Sequence, residues 1–134
     1  MRYLLDTNAV IFLLGKKSDH LLNRVLACPE GDIGLPTIVC HELYFGAYKS
    51  QKVSFNLETL RLLFSDFGVL PFEREDAMAA GKIRAVLSAA GTPIGPYDSL
   101  IAGQAKARGL TLITNNLGEF GRVEDLKVED WTRS

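Results

Sequence analysis

Apolar and polar positions along the chain fall into two kinds of segment. Short, nearly continuous apolar runs read as buried strands, and longer stretches with apolar residues three or four positions apart read as helices. Arg2 to Leu5, Asp32 to Leu35, Val69 to Phe72 and Leu110 to Thr114 are of the first kind, with a short last strand at Val128 to Trp131. Asn8 to Leu14 is of the second kind, with Val10, Ile11 and Leu14 on one stripe, as is Leu21 to Ala27, which Cys28-Pro29 stops. A helix opening near Thr37, a candidate N-cap, runs towards Lys49. Phe55 to Phe67 places Leu57, Leu60, Phe64 and Phe67 on one face, and Asp76 to Ala90 does the same with Ala79, Ile83, Leu87 and Ala90. The stretch Gly91-Thr92-Pro93-Ile94-Gly95-Pro96 suits neither helix nor regular strand. Tyr97 to Arg108 is helical again, with Gly109 just past its end.

Strands alternating with helices predict an α/β fold, a mainly parallel central sheet flanked by helices on both faces. No repeat, low-complexity tract or linker divides the sequence, so residues 1–134 are expected to form one domain. Right-handed crossovers bring the carboxyl ends of the strands to one edge, where open sheets of this kind take their ligands. Asp6 closes the first strand and Asn115-Asn116 follow the fourth, so both are expected at that rim.

The net charge of −1 supplies no global basic field, so any nucleic-acid contact needs a local patch; Lys16, Lys17, Lys49, Lys52, Lys82 and Arg84 are candidates. No charged leader precedes an apolar h-region and no apolar run would span a bilayer, which predicts neither signal peptide nor membrane span. Cys28 and Cys40 lie in apolar surroundings without metal-ligand spacing, and read as reduced core residues of a cytoplasmic protein.

The candidate chemistry is acidic. Asp6, Glu42, Asp98 and Glu119 each stand beside an apolar run. Each also has a plainer explanation. Asp6 suits an N-cap, Glu42 a solvated helix face, and Asp98 the first turn of a helix, where the dipole favours an acid. Three features argue for more. Asp6-Thr7-Asn8 offers two further short polar groups, Gly46 and Ala47 remove bulk one turn after Glu42, and Ile94-Gly95-Pro96-Tyr97 is built to aim one residue. Carboxylates gathered in an α/β fold repel one another, and a divalent cation offsets that repulsion. Metal-dependent chemistry on phosphate is the expectation.

Leu5-Asp6-Thr7-Asn8, His41-Glu42-Leu43-Tyr44-Phe45-Gly46-Ala47, Pro93-Ile94-Gly95-Pro96-Tyr97-Asp98-Ser99-Leu100-Ile101-Ala102, and Thr114-Asn115-Asn116 with Glu119-Phe120 together resemble the PIN domain. More narrowly, they resemble the VapC toxins of bacterial type II toxin–antitoxin systems. The resemblance implies a Mg²⁺- or Mn²⁺-dependent endoribonuclease acting on tRNA or other structured RNA. It also implies inhibition by a VapB-type antitoxin, a homodimer, and a toxin–antitoxin hetero-oligomer that meets operator DNA through the antitoxin. The family's metal-site acids map onto Asp6, Glu42 and Asp98. Many PIN domains carry a fourth acid directly after the last core strand; here Asn115 and Asn116 stand there and Glu119 is the replacement. Asn8, Thr114 and Asn116 are the expected supporting polar groups around the metal and its water, and in-line hydrolysis is expected to leave a 5′-phosphate and a 3′-hydroxyl.

Two alternatives differ in class. A non-catalytic RNA-binding module of the same fold would keep the scaffold without the reaction. A phosphoacceptor receiver-like domain would need an acidic pair after the first strand and a Lys after the last core strand, and neither is present. Phe45, Tyr48, Phe55, Leu62 and Leu63 exceed what one helical face can bury, which leaves core packing and a partner-binding groove both open.

Overall fold

The apolar run after Arg2 becomes the central strand of the sheet, β1 (Tyr3–Leu5), with Leu4 and Leu5 wholly buried. In the computed structural model, which describes residues 1–133, it is followed by α1 (Thr7–Leu14), α2 (Asp19–Ala27), β2 (Ile33–Pro36) and α3 (Thr37–Lys49). Then come α4 (Val53–Asp66), β3 (Gly68–Leu70), α5 (Arg74–Ala89), α6 (Pro96–Ala107), β4 (Thr111–Ile113), α7 (Leu117–Phe120) and β5 (Val128–Glu129). The strands form one five-stranded sheet in the order β3-β2-β1-β4-β5, every pair parallel. Among the described residues, no helix is long and apolar enough to cross a membrane.

The strand order locates the site. The chain builds outward from β1 through β2 to β3, then returns across β1 to lay down β4 on its other side. Connections therefore leave β1 and β4 in opposite directions, and a crevice opens between their carboxyl ends. Leu5 pairs with Ile113, so Asp6 and Thr114, the next residue of each strand, emerge side by side into that crevice.

Several local expectations are corrected. The third strand ends at Leu70 rather than Phe72, because Pro71 has no N–H and the Leu70 and Pro71 carbonyls accept from the Gln104 amide instead of a neighbouring strand. Phe67 is the extended C-cap of α4, outside the helix. Pro36, not Thr37, occupies the cap position of α3, and no side chain caps it. The α1 stripe is turned. Ala9 and Val10 are buried, while Ile11 and Leu14 are 48% and 38% exposed and face a groove shared with α3 and α4. The buried face of α5 is also rotated. Asp76, Ala80, Ile83 and Leu87 go inward while Ala90 stays out, because Arg108 of the segment after α6 pairs with Asp76 at 2.9 Å. Cys28 and Cys40 are both free thiols, Cys40 buried and Cys28 half-buried. The α7 turn was not anticipated, since four residues are too few to show a period. Of the apolar surplus on α3 and α4, Leu63 is core, whereas Phe45, Tyr48, Phe55 and Leu62 are exposed. A Cβ at Gly46 would meet nothing within 4 Å, so among the described residues none uses the room it leaves.

Helices α5 and α6 pack so closely that a Cβ at Gly103 would lie 2.5 Å from the Ala80 backbone nitrogen. That contact fixes α6, whose first turn carries Asp98. Gly103→Ala should therefore destabilise the fold by about 1–3 kcal/mol, despite alanine's better helix propensity. Thermal or urea unfolding checks this; an unchanged or raised stability would show that the helices can part without cost.

Candidate active site

Asp6 reaches the crevice because β1 ends there and α1 begins immediately. It is the N-cap of α1, its Oδ1 accepting the Ala9 N–H at 2.8 Å. The capping role and a role in the cleft therefore do not compete. The carboxylate is 2% exposed and still lines the cleft, with the Thr114 hydroxyl close enough to lower its proton affinity. Glu42 lies on α3, which packs against α1, and the Thr7 hydroxyl donates to its Oε1 at 2.7 Å. Asp98 is in the first turn of α6, where Gly95 is the N-cap residue and Pro96 the first helical position. Pro fixes the entry of the chain there, which aims the next turn at the cleft.

Glu119 arrives from α7. The Gly95 N–H donates to its Oε1 at 2.7 Å and the Asn116 side-chain amide to its Oε2 at 2.8 Å. It stands against Asp98 closely enough for the two carboxyl groups to share a proton. A Cβ at Gly95 would lie 3.4 Å from Asp98 Oδ2 and 3.7 Å from Glu119 Oε1, in contact with both acids. The position after β4 that Asn115 and Asn116 leave without an acid is thus served by a carboxylate one short turn later.

The structure brings together Asp6, Glu42, Asp98 and, beside Asp98, Glu119. Asp6, Thr7, Asn8, Ile11, His41, Glu42, Phe45, Tyr97 and Asp98 line a cleft of about 650 Å³. Asn116 is a hydrogen-bonded support of Glu119, its backbone N–H donates to Thr114 Oγ1 at 2.9 Å, and the Thr114 hydroxyl favours the ionised form of Asp6. Asn8 lines the cleft and is exposed. None of Lys16, Lys17, Lys49, Lys52, Lys82 or Arg84 lines it. Sequence reasoning left out Thr7 as the anchor of Glu42 and Gly95 as the donor to Glu119. No short-range signal announces either, because both partners are distant in the chain.

Burial without a neighbouring cation governs the electrostatics. Desolvation pushes the Asp6 carboxyl up to about 6, with Glu42 and Asp130 adding repulsion and the Thr114 hydroxyl and Ala9 N–H opposing. Desolvation also raises Asp98, to about 7, helped by repulsion from Glu119 and the proton shared with it, then by Glu42 and Asp6. Glu119 is held below its ordinary value, chiefly by the Gly95 N–H and then by Asn116, so the shared proton resides on Asp98. Both Asp6 and Asp98 bind protons more tightly folded than unfolded, where 3.8 is ordinary. Their contribution is fully present below that value and is lost as pH rises through about 6 and about 7. In chelator, the melting temperature should thus fall between pH ~5 and pH ~8. Asp98→Asn should flatten the fall, and a slope of the same size in Asp6→Asn/Asp98→Asn would refute the assignment.

The chain resembles known proteins along nearly its whole length. The sequence model of the PIN domain matches residues 3–126. The chain is 39% identical over 131 residues to the tRNA(fMet)-specific endonuclease VapC of Salmonella typhimurium, covering 98% of each. The toxin chain in the crystal structure of DNA-bound VapBC from Salmonella typhimurium superposes with a TM-score of 0.93, at 39% identity and 98% coverage of both chains. A VapBC structure from nontypeable Haemophilus influenzae gives a TM-score of 0.91 at 32% identity, covering 99% of this chain and 100% of that one. An all-parallel sheet, acids at its switch point and full-length similarity lead to one assignment: this chain belongs to the PIN domain family and, within it, to the VapC ribonucleases.

Proposed function

We propose that the chain is a divalent-metal-dependent endoribonuclease toxin that cleaves tRNA, the initiator tRNA first among candidates, and is neutralised by a VapB-type antitoxin. The observation that carries the reading is the gathering of Asp6, Glu42 and Asp98 in one cleft that no Lys or Arg lines, with Glu119 behind Asp98. The relative named for tRNA(fMet) supports the substrate, and the DNA-bound VapBC neighbour supports the antitoxin and an operator complex formed through it. A homodimer is part of the same proposal.

The donor set suits a hard cation. It offers carboxylate oxygens and no thiolate, and acids whose proton affinity is raised by burial and by one another's charge. Among the described residues, no three His, Cys, Asp or Glu side chains are grouped tightly enough to hold an ion by themselves. That is compatible with Mg²⁺ or Mn²⁺, since Mg²⁺ keeps much of its water and needs few direct carboxylates. Asp6 and Asp98 would hold the ion most directly, with Glu42 acting through water. Such an ion would supply charge for the scissile phosphate and acidify a water for in-line attack, leaving a 5′-phosphate and a 3′-hydroxyl.

The chain's own groups do the positioning. The Ala9 N–H and Thr114 hydroxyl fix the Asp6 carboxylate, so it needs no reorganisation when it engages a cation. Thr7 holds Glu42 towards the same space, where it can orient a water. Glu119, kept ionised by the Gly95 N–H and Asn116, accepts the hydrogen bond of the protonated Asp98 carboxyl, and that proton passes to solvent when Asp98 ionises to engage a cation.

The test is cleavage of an initiator tRNA transcript by the purified, antitoxin-free chain. Cleavage should require Mg²⁺ or Mn²⁺ and stop in chelator. Asp6→Asn and Asp98→Asn should lower kcat by about 1000-fold while remaining folded, and Thr114→Val should weaken the apparent metal affinity by about 10- to 100-fold. Full activity in either acid variant, or in chelator, would overturn the metal reading. Millimolar Mn²⁺ should also raise the melting temperature of the wild-type chain by binding the native state, and more strongly than that of Asp6→Asn/Asp98→Asn. Equal shifts would place the ion elsewhere.

A further inference from the structure

Two of the cleft acids are each preceded in the chain by an aromatic residue, His41 before Glu42 on α3 and Tyr97 before Asp98 on α6. Successive helical residues are turned by about 100°, so each ring flanks its acid. Phe45 lies one turn after His41 on the same side of α3. All three rings line the acidic cleft. Core packing does not account for them, because Tyr97 is 46% exposed, Phe45 is 62% exposed, and His41 is exposed as well. The His41 and Tyr97 rings are 5.4 Å apart at 53°, and so join the outer edges of α3 and α6.

The charge of the cleft sharpens the question of how RNA is held there. Non-specific affinity for RNA ordinarily comes from cations on phosphates. Here the lining carries carboxylates and no Lys or Arg. The Lys49 ammonium, outside that lining, lies 5.6 Å from the Phe45 ring centroid. A nucleotide entering the cleft has little besides a metal to bind its phosphate, and exposed rings to bind its base. Stacking on aromatic side chains is open to unpaired bases, whose faces are free.

We propose that His41 and Tyr97, extended by Phe45, form a stacking platform for one unpaired nucleobase next to the scissile phosphate. This rests on the ribonuclease reading. Its consequence is selection of single-stranded loops over duplex, imposed at the cleft mouth and not by the acids. Tyr97 and His41 are specificity-determining residues that touch substrate, whereas Asp6, Glu42 and Asp98 act on the phosphate.

The experiment has a binding arm and a cleavage arm. For binding, the Asp98→Asn chain is titrated in chelator with a short unpaired RNA carrying one aminopurine, a fluorescent base that stacking quenches. Quenching should saturate, weaken about 10-fold on adding Tyr97→Ala, and return with Tyr97→Phe; His41→Ala should weaken it too. For cleavage, Tyr97→Ala in the wild-type background should raise KM for the initiator tRNA transcript by about 10-fold with kcat largely kept. An abasic nucleotide beside the mapped cut should cost the wild-type chain a similar factor and cost Tyr97→Ala little more, the non-additivity expected of partners. Thermal melts of the variants should match wild type, as befits exposed positions.

Unchanged binding and KM in both Tyr97→Ala and His41→Ala would overturn the platform while leaving the nuclease reading intact. Equal binding of a blunt duplex of the same sequence would also overturn it. Conversely, Tyr97-dependent quenching without metal-dependent cleavage by the wild-type chain would uphold the platform and overturn the nuclease.

Discussion

Negative charge buried without a positive partner is the constraint on which the rest of the molecule turns. Asp6 sits at the end of the central strand, nearly inaccessible to water, and no Lys or Arg reaches it. The Ala9 N–H hydrogen bond and the nearby Thr114 hydroxyl stabilise the ion but do not restore its ordinary proton affinity. With Asp98 the imbalance is larger, and sharing a proton with Glu119 is how the folded chain accommodates it. Elsewhere the fold treats acids differently. Asp76 is equally buried yet is paired with Arg108, and its carboxyl is held below its usual range. The contrast separates an acid kept for structure from acids kept reactive.

The sheet explains why this charge can be concentrated at one point. Strand order reverses between β1 and β4, so neither connection covers the crevice at their carboxyl ends. Four separate elements then deliver one acid each: the end of β1, the middle of α3, the first turn of α6, and α7. Rigidity comes from beneath, where Ala80 and Gly103 lock α5 to α6 at backbone contact. Aromatic residues next to the helical acids complete the mouth of the cleft, so that base contact and phosphate chemistry arise from adjacent positions of the same two helices.

Much of this was legible in the chain. The alternation of short apolar runs with helical periods carried the α/β class, and Asp6 and Asn115-Asn116 could be placed at one rim from their positions at strand ends. Faces of helices were read less well. Ile11 and Leu14 belong to the apolar stripe of α1 by spacing but turn outwards, and α5 buries Asp76 and Ala80 while leaving Ala90 in solvent. In each case the deciding partner, the groove wall of α3 and α4 or the Arg108 side chain, lies far away in sequence.

By itself, the sequence determined which residue types could do chemistry here, which elements they ride on, and which family the chain belongs to, because period, punctuation and short motifs are local properties. Only the tertiary structure decided that Thr7 anchors Glu42 across 35 residues and that Gly95 orients Glu119 across 24. It also decided that Asp6 both caps α1 and faces the cleft. Such pairings depend on strand order and crossover paths, which bring distant segments within hydrogen-bonding reach and leave no trace in the spacing of either segment alone.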